Sequence, residues 1–558
     1  MKHTSTLLLA ALVSAAGQAS AQAPCPTLPT DHISRFTSVE PTTQPQDLRL
    51  PATHTFQMLV QGGTPYTNAA DGNMLEAFDF TGYVPSNGGN AGYLSINHEG
   101  SGTTSGVSML SLNFNATTKL WNVTAKHPVN FAPVVGTINN CSGTVTPWNT
   151  VVTCEENTGP TTPTDTNNDG YMDSGWNVEI DPATHTVKDQ NNDGTPDKLW
   201  RMGRLKHENI VVAADRRTVY EGADDGSSNS FVYKYVATTA GQLGNGTLYA
   251  LQLDGAIGTA TTGTWIPVPN STPAECNNTT AAARALGATS FNGVEDIEIS
   301  PLTGQVYFTA KGPGTIYRFT DTGATGTTFS NFEIFAGNTP TNTAQAYTIN
   351  YGSGSISELW RTGNDNLTFD SLGNLYVLQD GGRNHVWLIK PCHTQAAPAV
   401  EVFAVTPAGC EPTGMTFSPD ERFLFISMQS PDANTLATVD AAGQPVVFNK
   451  STALVIARKG VLGTALSAAT GKPELTRADV YPNPVAGTEL ALALTHGQKE
   501  TATLTVFNTL GARMLEQSVV LSQGLNNLKV SVSKLQSGHY QLVIKTATTT
   551  TTRAFIKQ

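Results

Sequence analysis

The sequence predicts an all-β protein: a large β-propeller followed by a small C-terminal β-sandwich. Three observations predict it. Charged residues make up only 14% of the 558-residue chain, against 51 glycines and 31 prolines, a mix that suits short strands joined by many turns and is poor in helix-filling residues. From about residue 52 to 460, a Gly, Asp or Asn turn repeatedly precedes a short alternating apolar run, as in Gly304-Gln305-Val306-Tyr307-Phe308, Gly373-Asn374-Leu375-Tyr376-Val377 and Arg422-Phe423-Leu424-Phe425-Ile426. Recurring strand–turn–strand units of this kind are how propeller blades read in sequence; a large β-sandwich is the alternative on pattern alone. After a polar linker over 461–478, alternation resumes in Ala502-Thr503-Leu504-Thr505-Val506-Phe507 and Gly538-His539-Tyr540-Gln541-Leu542-Val543-Ile544, the pattern of a small antiparallel sandwich over 479–558.

The elements follow in order. Met1-Lys2-His3, an apolar run from Leu7 to Ala16 and the small residues Ala19-Ser20-Ala21 read as a secretory signal peptide over 1–21, too short for a permanent anchor. No other stretch is apolar enough to span a bilayer, so no transmembrane segment is expected after cleavage. Residues 22–51 are polar and Pro-rich and are expected to wrap the propeller, which spans 52–460. An exported chain can form disulfides; of the six cysteines, Cys392 and Cys410 flank a short strand-like segment and are the best candidates for a bridge. The net charge of −12 argues against nucleic acid, whose binders need a basic face. Acidic loops suit calcium instead.

Five acidic motifs stand at expected strand ends: Thr153-Cys154-Glu155-Glu156-Asn157; Met202-Gly203-Arg204-Leu205-Lys206-His207-Glu208; Gly293-Val294-Glu295-Asp296; Asp365-Asn366 with Gln379-Asp380-Gly381; and Glu411-Pro412-Thr413-Gly414. In a propeller such loops converge around the central channel, where oxygen ligands from several blades can hold hard cations. A thiol beside carboxylates is tolerated where a cation joins them. Two further loops repeat one pattern, Asp165, Asn167, Asp169 and Asp173, then Asp189, Asn191, Asp193 and Asp197, with glycine at the sixth position of each. This is the start of an EF-type calcium loop, but the twelfth positions are Trp176 and Trp200 instead of a bidentate Glu. Structural calcium loops of the extracellular kind are expected there.

In this order the motifs, together with Asn97-His98-Glu99, resemble those of PhoX-type alkaline phosphatases over roughly residues 60–435. The tail, with Tyr481-Pro482-Asn483-Pro484, Asn508-Thr509-Leu510-Gly511 and Gly538-His539-Tyr540, resembles the C-terminal sorting domain of type IX secretion. The first resemblance implies a six-bladed propeller, calcium and iron at an axial site, and hydrolysis of a small phosphomonoester. It implies Cys154 as thiolate iron ligand, Glu208, Glu295, Asp380 and Glu411 as carboxylate ligands, and Glu155 beside them; Cys154, Glu208 and Glu295 are the expected catalytic set. The second implies delivery by the type IX secretion machinery to a secreted or cell-surface location. One departure stands out. The family motif Arg-Pro-Glu reads Gly293-Val294-Glu295 here, so the carboxylate is kept and the phosphate-gripping arginine is lost; Arg204 and Lys206 are candidate substitutes. Two other functions remain on this reading: a non-catalytic, calcium-stabilised propeller for ligand binding or surface scaffolding, and a lactonase-like or phytase-like propeller using calcium without iron.

Overall fold

The computed structural model describes residues 25–159, 164–433, 435–463, 477–496, 499–522, 524–546 and 550–558. The expected signal peptide and most of the expected linker lie outside them. The chain divides into two units, Met1–Ala465 and Leu466–Gln558.

The strands of the first unit sort into six antiparallel blades. Their innermost strands are Phe78–Ser86, Asn140–Val145, His207–Val212, Val294–Ile299, Asn364–Phe369 and Glu411–Phe417, and each neighbours the next around a closed ring. Apolar residues alternate along these strands and fill the wedges between blades, as do Tyr376, Leu388, Met415 and Leu424 between the fifth and sixth. The ring closes between distant parts of the chain. The outermost strand of the sixth blade is His54–Gln61, paired antiparallel with Thr452–Arg458. Such closure ties the two ends of the propeller chain together, and the blades leave only short, protected strand edges.

The third and fourth blades are welded into one nine-stranded sheet, because an extra strand, Thr262–Val268, pairs with Thr328–Gly337. A buried ion pair pins this weld. Asp321 of the fourth blade accepts hydrogen bonds from Lys234 Nζ (2.7 Å), Tyr220 Oη (2.6 Å) and Trp265 Nε1 (2.7 Å).

The N-terminal segment lies along the outer strand of the fifth blade, where Val39 N donates to Val402 O and Arg49 N to Val405 O. Its Ile33 and Leu48 are buried in the propeller core. This path carries Cys25 to Cys392, and the disulfide joins those two. The expected Cys392–Cys410 bridge does not form, and Cys410 is a buried free thiol. The second unit packs a three-stranded sheet against a four-stranded one; Leu490, Leu492 and Leu494 alternate inward against Leu504, Val506, Leu542 and Ile544. It is the expected sandwich. Among the described residues no helix is long and apolar enough to cross a membrane.

Asp321→Ala strands the Lys234 ammonium in the interior and should lower unfolding free energy by about 3–5 kcal/mol in equilibrium denaturation. A loss under about 1 kcal/mol, the range of an exposed pair, would contradict this account of the weld.

Candidate metal centre

Every inner strand is interrupted by a register shift near its first residues. A bulge breaks strict alternation and re-aims the side chains at its site. In five blades the residue after the first of the strand is ionisable: Asp79, Cys141, Glu208, Glu295 and Asp365. The sixth blade contributes Glu411, the first residue of its strand. A second tier comes from the residue just after each blade's second strand: Glu99, Glu156, Asp224, Lys311, Asp380 and Ser430. In an antiparallel pair these two positions lie at the same edge, so both tiers meet at one end of the central channel.

Three sets of ligand atoms gather there, each within 4.8 Å of one another: Cys141, Glu156 and Glu208; Glu208, Glu295 and Asp365; and Asp365, Asp380 and Glu411. Shared Glu208 and Asp365 make them one continuous cluster. Burial, reinforced by neighbouring carboxylates, pushes the carboxyl groups of Asp79, Glu208, Glu295 and Glu411 well above their usual range. Asp365 is raised by burial despite Lys311, and Glu156 rises to about 9 through burial and then Glu99. Burial and then Glu208 raise the Cys141 thiol as well. The buried Glu295 Oε1 accepts no hydrogen bond. So many acids in one dry place need cations to ionise together. The donor set fits: a thiol with two carboxylates suits a transition metal, and carboxylates alone suit a hard cation.

Neutral side chains hold the frame. Asn97 Nδ2 donates to Cys141 O (2.7 Å), Ser142 O (3.0 Å) and Thr153 Oγ1 (2.9 Å), fixing the bulge that presents Cys141. Thr413 Oγ1 donates to Asp79, and Asn366 Oδ1 accepts from both Thr413 and Gly414 N.

Glu208, Glu295, Asp380 and Glu411 are thus brought together. Cys154 and Glu155 are not. Strand alternation puts Cys154 on the face of Val152, in the apolar layer toward the third blade. Glu155 is spent on Lys198 Nζ (2.9 Å) and the backbone amides of Ile138, Gly175 and Trp176. Cys141 and Glu156 stand in the cluster instead, with Asp365 as a further ligand candidate. The signal for Cys141 and Asp365 was the acid or thiol one residue into five of the inner strands, visible in Asn140-Cys141-Ser142 and Asn364-Asp365-Asn366, and the signal for Glu156 was its place just after a second strand. Both suggested substitutes for the arginine make contacts elsewhere. Arg204 donates to Ser174 O and Thr158 O, and Lys206 pairs with Asp225 at 3.3 Å.

The two repeated loops lie on the surface, away from this cluster. Asp165 caps the amides of Asp169 and Gly170, and Asn167 Nδ2 donates to Asp169. Asp173 accepts from Thr164 and Thr166. Asp189 caps Asn191, Asn192 and Gly194, and Asn191 caps Asp193. Burial and then Asp193 and Asp189 push Asp197 up to about 6. Tyr171 stacks on Trp200 at 4.6 Å, joining the loops.

A closed ring of six blades with a cation-hungry axial cluster defines a propeller of the metal-dependent type. A family model described as alkaline phosphatase PhoX matches residues 115–432, and one described as a secretion system C-terminal sorting domain matches residues 479–558. The first covers more than half of the chain, which therefore belongs to the PhoX alkaline phosphatase family. It is a phosphoester hydrolase, and the sorting domain addresses it to a secreted or cell-surface location. Among solved structures, Pseudomonas fluorescens PhoX in complex with vanadate shares 22% identity at a TM-score of 0.59, over 77% of this chain and 99% of that one, a likeness of fold. A Pseudomonas aeruginosa periplasmic gluconolactonase reaches 10% identity and a TM-score of 0.34, over 87% of this chain and 100% of that one. No curated protein matches the chain in sequence.

The raised acids give a pH signature. Glu156, at about 9 when folded against 4.5 for an ordinary glutamate, keeps a proton the unfolded chain has already lost, so folding stability falls as pH rises through that window. In chelator, the melting temperature should fall from pH 5 to 9, and less steeply in Glu156→Gln. Identical profiles for the two proteins would contradict the shift.

Proposed function

We propose that the protein is an exported phosphomonoesterase that works with iron and calcium at the head of its propeller channel. The observation that carries this is the junction of one thiol-containing and one all-carboxylate ligand set through Glu208, Glu295 and Asp365. Cys141, Glu156 and Glu208 would hold iron, because a thiolate suits it and adds little to a calcium site. Asp365, Asp380 and Glu411 would hold calcium, with Glu295 between the two. When bound, such ions supply polarisation of the phosphoryl group. The chain's own contribution is to fix the ligands on bulged strand ends, bury them from water and orient the cluster toward one open end. Asn97 and Thr413 keep Cys141 and Asp79 in place without adding charge.

The cysteine distinguishes this from a calcium-only lactonase-like or phytase-like propeller. The substrate is a small phosphomonoester that enters from the outer end. The loops at Asp165–Asp173 and Asp189–Asp197 would take structural calcium and brace the insertion in the second blade, apart from the chemistry. The C-terminal domain is read by a type IX secretion machinery, and an N-terminal signal peptide supplies the first export step.

Plasma mass spectrometry of the purified protein, with p-nitrophenyl phosphate turnover on the same samples, tests the assignment. Wild type should carry iron and calcium together. Cys141→Ala should lose iron and at least about 100-fold in turnover, whereas Cys154→Ala should keep both. Iron lost from the Cys154 variant alone would refute the ligand set. For the loops, an Asp165→Asn/Asp189→Asn variant should lose calcium and melting temperature while keeping turnover; equal loss of turnover would tie the loops to the chemistry.

A further inference from the structure

The outer tier of the channel mouth is acidic in four blades, and in one of the other two it carries a cation. After the second strand, the first, second, third and fifth blades place Glu99, Glu156, Asp224 and Asp380, and the sixth places Ser430. The fourth places Lys311. Its Nζ lies 2.8 Å from Asp365, 3.1 Å from Asp380 and 3.5 Å from Glu295, all members of the candidate ligand sets. The lysine side chain is 32% exposed while those of Glu295 and Asp365 are 2% and 8% exposed. The Lys311 side chain therefore reaches solvent beside the comparably exposed Asp380, at 36%, and outside the buried Glu295 and Asp365.

Its base is tied to the blade's inner strand. Lys311 N donates to Gly293 O at 2.7 Å. Gly293 holds φ +84°, and a Cβ there would stand 3.4 Å from Lys311 Cβ. A side chain rooted at position 293 and the side chain of Lys311 would thus begin from the same place at the mouth. Among the described residues Lys311 is the cation that pairs with members of the candidate ligand sets; Lys198 is buried on Glu155, Arg204 is held by carbonyls and Lys206 pairs with Asp225.

We infer that Lys311 is the phosphate anchor of this enzyme, the side chain that grips a non-bridging phosphoryl oxygen of the substrate. The inference rests on the phosphoesterase reading. Metal ions and the Lys311 ammonium compete for the same oxygens of Asp365, Asp380 and Glu295. Ions bound there repel the ammonium, and its flexible stem and three donors let it turn outward to a tetrahedral oxyanion. Standing beside the ligand carboxylates, it would add a further positive group to those that grip the phosphoryl oxygens.

The test is calorimetric binding of inorganic phosphate to the metal-loaded full chain, with metal content measured on each sample and kcat and KM for p-nitrophenyl phosphate alongside. Lys311→Met should keep its metals, weaken phosphate binding by about tenfold or more and raise KM. Lys311→Arg should recover most of the binding, and Lys311→Gln, which keeps a polar head, should behave as the Met variant does. Phosphate binding within twofold of wild type in both neutral variants overturns the inference, as does metal loss in both, which would make Lys311 a scaffold of the cluster. Failure of Lys311→Arg to rescue also counts against it. A metal-loaded wild type that neither binds phosphate nor turns over the ester sinks the phosphoesterase reading itself.

Discussion

Repulsion among buried acids at the channel mouth is the constraint around which the propeller is organised. Five inner strands deliver an ionisable group one residue from their start, and a sixth delivers Glu411 at its first residue. Burial alone would keep them protonated and inert. Ionised together they repel strongly, and only cations of fixed number and place can reconcile them. The bulges are the device that makes the convergence possible, since a regular strand would send alternate side chains to opposite faces.

The rest of the fold holds that mouth rigid. Hydrogen bonding of His54–Gln61 to Thr452–Arg458 closes the ring. The Asp321 network fuses two neighbouring blades. The N-terminal segment and its disulfide strap the fifth blade, which supplies Asp365 and Asp380. Rigidity matters because a cluster of like charges expels its members wherever the frame gives way. A preorganised site also gains more from each charge than a mobile one. Lys311 fits this logic as an ammonium set among the four carboxylates of the outer tier.

Much of this was legible in the sequence. Blade repeats follow from period-2 alternation between turns, and the sandwich is plain in Glu489–His496, whose inward residues are all leucines save the last. Glu208, Glu295, Asp380 and Glu411 stood in acidic motifs at expected strand ends, and the family resemblance singled them out there. The differences in placement have physical causes. In Cys154-Glu155-Glu156 a shift of one residue exchanges core face for channel face, so the sequence offered Cys154 and Glu155 where the structure presents Cys141 and Glu156. Cys141 depends on a bulge, which has no compositional mark of its own. The Cys25–Cys392 bridge spans 367 residues, and only the path of the N-terminal segment reveals it.

The most direct test of the central claim is anomalous X-ray diffraction from crystals of the metal-loaded protein, collected at the iron edge and at long wavelength for calcium. The account predicts an iron peak bounded by Cys141, Glu156 and Glu208 and a calcium peak bounded by Asp365, Asp380 and Glu411. Peaks confined to the surface loops, or an iron peak at Cys154, would contradict it.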